Sequence, residues 1–299
     1  MKKAIGIDLG GTSIQAGLVT DQGQILKKLE RPTPTGGKTQ VLNALKEIIV
    51  DLMEEGVIGI GIGSPGTIDS VNGRVLSIGG NIKDWAHTDI KGYLKNATGT
   101  VPSAFLAVDN DANAAALCEA WIGAGRDFRS FIMLTLGTGL GGAIYTREMG
   151  IYKGDKFQAG ELGHAILYPH GRPCVCGQAG CVERYISGSA LEDLYFEATG
   201  KKLKGKEIFA LAQKEDKAKE IVDKFCENLA IYIASLKNIL DPQAIIIGGG
   251  VINSKHIWWD KMIDYYQKHT NTPTAEIRPA KYLNNAGIIG AARLAFNNT

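Results

Sequence analysis

The chain has 299 residues, 44% of them hydrophobic and 21% charged, with a formal net charge of +2. That length allows two domains with ordinary cores, and so small a charge argues against nucleic acid or an anionic membrane as a partner. No apolar run reaches membrane-spanning length, and the opening Met1-Lys-Lys-Ala-Ile-Gly-Ile7 is too short for a signal peptide, so a cytoplasmic location is expected.

Strand signals come first, at 4–8, 13–20 and 24–30, the latter two joined by the turn residues Asp21-Gln-Gly23. Val41, Leu42, Leu45, Ile48, Ile49, Leu52 and Met53 then share one helical face, with Gly56 as a stop. Strands are predicted at 57–62 and 105–108, the second leading into an alanine-rich helix that begins near Asn110 or Asp111. Segments 130–136 and 143–146 repeat the strand, glycine turn and strand of 5–19, which suggests duplicated halves. A long amphipathic helix runs from Ile221 to Leu240, a buried strand at 244–247 meets Gly248-Gly-Gly250, and a helix at 286–296 closes the chain. Strand and helix signals alternate throughout, so the fold class is α/β.

Three glycine turns point to a nucleotide. In Asp8-Leu-Gly-Gly-Thr12, Gly10 and Gly11 let backbone N–H groups approach an anion, Thr12 adds a hydroxyl, and Asp8 can reach a phosphate-bound Mg²⁺. Taken alone, this segment is equally an ordinary hairpin. The second turn, within Leu136-Gly-Thr-Gly-Leu-Gly-Gly142, contributes Thr138, Gly139 and Gly141; the third contributes Gly249 and Gly250, which allow close approach of a flat adenine or a ribose. No P-loop is present, and the Gly137-x-Gly139-x-x-Gly142 string runs into a strand rather than a helix, which disfavours a dinucleotide.

Val108-Asp-Asn-Asp-Ala-Asn113 precedes the alanine-rich helix. A carboxylate at a helix N-terminus is favoured in its ionised form, so Asp111 is a candidate general base for an attacking hydroxyl. The alternative is that Asp111 only caps the helix. Asn110 and Asn113 beside it supply the paired donors and acceptors that a polyhydroxylated ligand needs.

Cys174, Cys176 and Cys181 lie within eight residues, ten residues after His164. Three thiolates and one imidazole fill a tetrahedral Zn²⁺ and leave no position for water, so one structural zinc per chain is expected. The odd count of five cysteines disfavours disulfides. Glu161 and Glu183 flank the cluster, so that a metal there holds both acids in one place.

Together these segments resemble the ROK family, which contains repressors, open-reading-frame proteins and sugar kinases within the actin-like ATPase superfamily. The resemblance rests on Asp8-Leu-Gly-Gly-Thr12, Gly61-Ile-Gly-Ser-Pro-Gly66, Asn110-Asp-Ala-Asn-Ala114, Leu136-Gly-Thr-Gly139, Glu161-Leu-Gly-His164, Cys174-Val-Cys-Gly-Gln-Ala-Gly-Cys-Val-Glu183 and Ile247-Gly-Gly-Gly250. It implies two actin-like (ribonuclease H-like) α/β lobes with sugar and ATP in the cleft between them. The smaller lobe would hold residues 1–115 plus 286–299, and the larger, residues 116–285 with the zinc loop.

The resemblance also implies a hexokinase-type enzyme, often a homodimer, in which Asp111 takes the proton of a hexose 6-hydroxyl as it attacks the γ-phosphate of MgATP. Gly66, Asn81, Asn110, Asp111, Glu161, His164 and Glu183 correspond to the sugar-holding set, with one ring nitrogen of His164 on zinc and the other on a sugar hydroxyl. Glucose is expected first and N-acetylmannosamine second, then fructose, allose and N-acetylglucosamine, because Glu161 suits a free 2-hydroxyl. Two departures from the glucokinase-like pattern are Lys83 and Asp84 within Asn81-Ile-Lys-Asp-Trp85, and Asn285 in place of a common aspartate. Family repressors carry a helix-turn-helix ahead of the first glycine loop, whereas seven residues precede Asp8 here. A sugar sensor without turnover is the other alternative.

Overall fold

A computed structural model of the chain describes residues 1–77, 82–98, 105–270 and 273–297. The chain divides into two units, one of Met1–Asp127, Glu148–Ala159 and Asn284–Thr299, the other of Phe128–Arg147 and Gly160–Leu283.

The first unit is built on β1 (Lys3–Leu9), β2 (Ser13–Thr20), β3 (Ile25–Pro32), β4 (Val57–Ser64) and, after the small ribbon of β5 (Ile68–Asp69) and β6 (Arg74–Val75), β7 (Leu106–Asn110). Their order is β3-β2-β1-β4-β7, antiparallel across β1–β2–β3 and parallel across β1–β4–β7. Alternation along β1 sends Ile5 and Ile7 into a core shared with Val41, Leu45 and Ile48 of α1 (Lys38–Leu52) and with Ile90 and Leu94 of α2 (Ile90–Thr98). Ala4 and Gly6 point the other way, toward α9 (Ala286–Asn297). That contact is backbone on backbone. A Cβ on Gly6 would lie 1.9 Å from Ile288 O, and one on Gly61 would lie 1.7 Å from Ala291 O. On its flank α9 meets α3 (Asp111–Trp121) at Gly290, where a Cβ would lie 1.7 Å from Ala114 O.

The second unit repeats the plan. β8 (Ser130–Leu136) and β9 (Leu140–Thr146) form a hairpin, and beside β8 run the parallel strands Ala244–Gly248 and Glu276–Pro279. This is the duplication suggested by the spacing. The sheet packs with α4 (Glu183–Ile186), α5 (Gly188–Thr199), α6 (Gly205–Leu211), α7 (Asp216–Leu240) and α8 (Lys255–His269) into one core, in which the rings of Phe209, Phe225 and Trp258 meet edge to face at 5.6 Å.

The predicted lobe boundary at 115/116 falls inside α3, and the structure keeps α3 whole, because Gly290 seats the helix on α9 within the first unit. That unit runs on to Asp127, takes residues 148–159 as well, and is close in size to the second. No helix among the described residues is long and apolar enough to cross a membrane.

Candidate active site

Parallel pairing brings the C-terminal ends of β1, β4 and β7 to one edge of their sheet, with Asp8 level with Gly63 and Gly63 level with Asp109. Such an edge is where open α/β sheets bind ligands. Gly10, Gly11 and Thr12 form the β1–β2 turn there, closed by Gly10 N–H donating to Ser13 O at 3.0 Å. The Thr33 hydroxyl braces it, donating to Gly10 O at 2.7 Å. The Asp8 carboxylate rests against Gly287, where a Cβ would come within 2.1 Å of its Oδ2. Burial, and then the charge of Asp111, push the Asp8 pKa up to about 7, against the opposing pull of Lys28. Asp8 is thus a carboxylate that a nearby cation would favour. Lys28 also donates to Asn285 Oδ1 at 2.9 Å, which gives that departure from the family pattern a partner.

Asn110 is the N-cap of α3. Its Oδ1 accepts from Ala112 N–H at 2.8 Å and Asn113 N–H at 3.4 Å, and its Nδ2 donates to Gly66 O at 3.0 Å. The capping role offered as the alternative for Asp111 therefore belongs to its neighbour. Asp111 stands in the first turn, where Ala112 N–H also donates to its Oδ1 at 2.8 Å. Asn81 lies outside the described residues. Just after it, Lys83 and Asp84 are exposed while Trp85 is buried and donates through Nε1 to Ser64 Oγ at 3.1 Å, so the two unusual charges face solvent.

One pair at this edge escaped the sequence reading. Asp109 is only 1% exposed. Its Oδ1 accepts from Asn110 N–H at 2.8 Å and Asn113 Nδ2 at 2.9 Å, and its Oδ2 pairs with Lys153 Nζ at 2.7 Å. Lys153 in turn donates to Ser70 Oγ at 2.7 Å. A buried carboxylate needs a cationic partner, so the acid before Asn110 was itself a signal, but nothing in the local pattern pointed to Lys153 as that partner.

In the second unit, Gly248 pairs with Thr135, which sets the turns 137–139 and 248–250 side by side. Gly249, at φ 82°, must be glycine, since a Cβ would come within 2.4 Å of Leu136 O. At Gly137 and Gly250 an added Cβ would meet nothing within 4 Å, and Thr138 is exposed. Gly141 lies in β9, paired with Thr135, beyond the turn to which its sequence context assigned it. Glu183, placed by the sequence beside the metal cluster, accepts Leu140 N–H through Oε2 at 2.8 Å.

Glu161 is exposed and precedes a single 3₁₀ turn that ends at His164. The Tyr232 hydroxyl of α7 anchors that turn by donating to Leu162 O at 2.6 Å. His164 Nδ1 lies 3.7 Å from Cys174 Sγ, Cys176 Sγ lies 3.5 Å from Cys181 Sγ, and all four ligand atoms are within 4.8 Å of one another. Ligand atoms around a tetrahedral zinc stand about 3.3–3.8 Å apart for bonds of about 2.0–2.3 Å. The cluster could therefore hold such an ion after a small inward movement of its widest edge. The loop is tight: Cys174 N–H donates to Gln178 O at 2.8 Å, and Gly180, at φ 83°, passes so close to Tyr168 O that a Cβ would lie 1.8 Å away. Burial and hydrogen bonds to Cys176 and Cys174 push the Cys181 thiol up to about 12. At Cys176 burial pulls the thiol up, but the hydrogen bonds from Gln178, Cys174 and Cys181 together bring it down to about 7. With Nδ1 turned to the sulfurs, Nε2 is the ring nitrogen left for another partner.

The model of the ROK family matches residues 4–298. The glucokinase of Thermotoga maritima is 36% identical, over 98% of this chain and 96% of its own length. The N-acetyl-D-glucosamine kinase of Vibrio cholerae is 33% identical, over 97% of this chain and 98% of its own. Among solved structures, a ROK family glucokinase from Streptomyces griseus, in complex with glucose and AMPPNP, matches with a TM-score of 0.85 at 32% identity and covers 99% of both chains.

Proposed function

Given that the chain belongs to the ROK family, we propose that it is an ATP-dependent hexokinase that phosphorylates the 6-hydroxyl of a hexose, glucose before others. The observation that supports this most is the division of roles at α3. Asn110 caps the helix, and Asp111 beside it carries a carboxylate in the first turn, where an ionised acid is favoured. In this reading Asp111 accepts the hydroxyl proton as O6 bonds to the γ-phosphorus of MgATP and ADP leaves. Phosphoryl transfer has a loose transition state, so positioning and charge stabilisation by Asp8, Gly10, Gly11 and Thr12 and by the turns at Thr138, Gly139, Gly249 and Gly250 carry most of the acceleration.

Glu161, His164 through Nε2, Glu183, Asn110, Gly66 and Asn81 would hold the sugar hydroxyls. His164 Nδ1 and the thiolates of Cys174, Cys176 and Cys181 would hold one zinc, which supplies no step of the reaction and keeps the loop between Glu161 and Glu183 in one shape. Glucose is favoured over N-acetylated hexoses because Glu161 suits a free 2-hydroxyl as donor. A cytoplasmic homodimer belongs to the same proposal.

A coupled assay of ADP release over glucose, N-acetylmannosamine, fructose, allose and N-acetylglucosamine, on protein shown by elemental analysis to carry one zinc per chain, tests this reading. Glucose should rank first in kcat/KM. An N-acetylated hexose in first place would move the substrate assignment, and no turnover on any sugar would leave a sugar sensor.

A further inference from the structure

The turn at 137–139 is gripped from one side by the chain that leaves the metal-ligand cluster. Two residues after Cys181, Glu183 accepts Leu140 N–H through Oε2 at 2.8 Å. A Cβ on Gly139 would lie 2.4 Å from that same oxygen, so the turn lies directly on the carboxylate. Farther along, Gly188 N–H donates to Gly137 O at 2.7 Å, and Ser189 donates to Thr138 O twice, through its hydroxyl at 2.6 Å and its N–H at 3.3 Å. In a trans peptide the N–H points opposite to the C=O. Pinning the carbonyls of Gly137 and Thr138 therefore turns the N–H groups of Thr138 and Gly139 to the opposite side. Consecutive N–H groups aimed one way are what binds phosphate oxygens. Gly137 and the neighbouring Gly250 also leave the room that a phosphate needs, since an added Cβ on either meets nothing within 4 Å.

We propose that Glu183 and Ser189 are positioning residues for the nucleotide phosphates, acting through the backbone of the turn at 137–139. The inference rests on the reading of that turn as a nucleotide site, and it gives Glu183 a second task beside the hexose. One side chain directly after the cysteine cluster then bears on both substrates, so a disturbance of the metal loop weakens nucleotide as well as sugar.

The test is the affinity of the full-length, metal-replete protein for MgAMPPNP, measured by titration calorimetry without hexose and set beside steady-state KM values for MgATP and hexose. Ser189→Ala should weaken nucleotide about fivefold and leave the hexose KM unchanged, the equivalent of one hydrogen bond. Glu183→Ala should weaken nucleotide about tenfold, whereas Glu183→Gln, which keeps an acceptor oxygen for Leu140 N–H, should stay within about twofold of the parent while its hexose KM rises. If Glu183→Ala fails to fold, Ser189→Ala and Glu183→Gln still carry the test. Unchanged nucleotide affinity in Ser189→Ala and Glu183→Ala, or an equal loss in Glu183→Gln and Glu183→Ala, overturns the inference. Gly137→Ala separates it from the underlying reading, because its Cβ touches only what binds there. If Gly137→Ala weakens nucleotide and the other two variants do not, the inference alone fails. If Gly137→Ala has no effect either, the turn is not the nucleotide site and both fail.

Discussion

In the first unit the parallel strands β1 and β7 lead to carboxylates, Asp8, Asp109 and Asp111, whereas in the second β8 and the strand Ala244–Gly248 lead to glycines. The scaffolds are alike, an antiparallel hairpin extended by parallel strands. Topology supplies an edge where strand ends converge; the residues at those ends decide whether the edge offers charge or bare backbone donors. The units also differ in how a helix approaches the sheet. Glycines at positions 6 and 61 let α9 lie backbone to backbone on the first sheet, while large rings at Phe209, Phe225 and Trp258 fill the core of the second. Close approach joins Asp8 to Gly287 and α3 to α9, so the acids of the first unit are set by a rigid contact.

The largest effect expected from breaking this contrast is at Asp111. Asp111→Asn should lower kcat by about 10² to 10⁴ with sugar and nucleotide binding largely kept, the range for a lost general base. Near-parental turnover would return Asp111 to a purely structural place in α3. Next in size is a matched pair of glycine changes. Gly61→Ala would put a Cβ 1.7 Å from Ala291 O, a backbone atom that cannot rotate aside, and should destabilise the protein by about 1–3 kcal/mol or more. Gly137→Ala meets nothing within 4 Å and should leave the melting temperature unchanged. Equal melting temperatures for the two variants would mean that α9 is free to shift.

The smallest effect is pH-dependent. Asp8 has its pKa raised from 3.8 to about 7, so its folded state holds the proton more tightly than the unfolded chain does. Its contribution to stability is fully present below pH 3.8 and is lost as pH rises through about 7. Without Mg²⁺ or nucleotide, Asp8→Asn should therefore melt a few degrees higher than the parent near pH 8, with the gain fading toward pH 4. A gain that is constant across that range would show that the charge is not its source. The same variant should lose affinity for MgATP, since the residue that favours a cation is gone.

Much of this molecule was legible in the chain because the relevant signals are local. Strand alternation, the helical stripe from Val41 to Leu52, the glycine turns and the histidine and cysteine spacing each depend on a few consecutive bonds, so the main strands of both sheets, the helices α1, α3, α7 and α9, the α/β class and the histidine and cysteine cluster that could hold a metal could be read directly. Of the elements not predicted, among them α2, α5, α6 and the strand Glu276–Pro279, α8 carried such a signal in Trp258, Met262 and Tyr266, spaced four apart on its buried face. What tertiary structure decided was pairing at a distance. Lys153 as the partner of Asp109, Glu183 under the turn at 137–139, Gly6, Gly61 and Gly290 as the seat of α9, and the inclusion of 148–159 in the first unit all join residues far apart in sequence. A lone lysine, glutamate or glycine looks the same wherever the chain will carry it, and only the packed backbone settles what it meets.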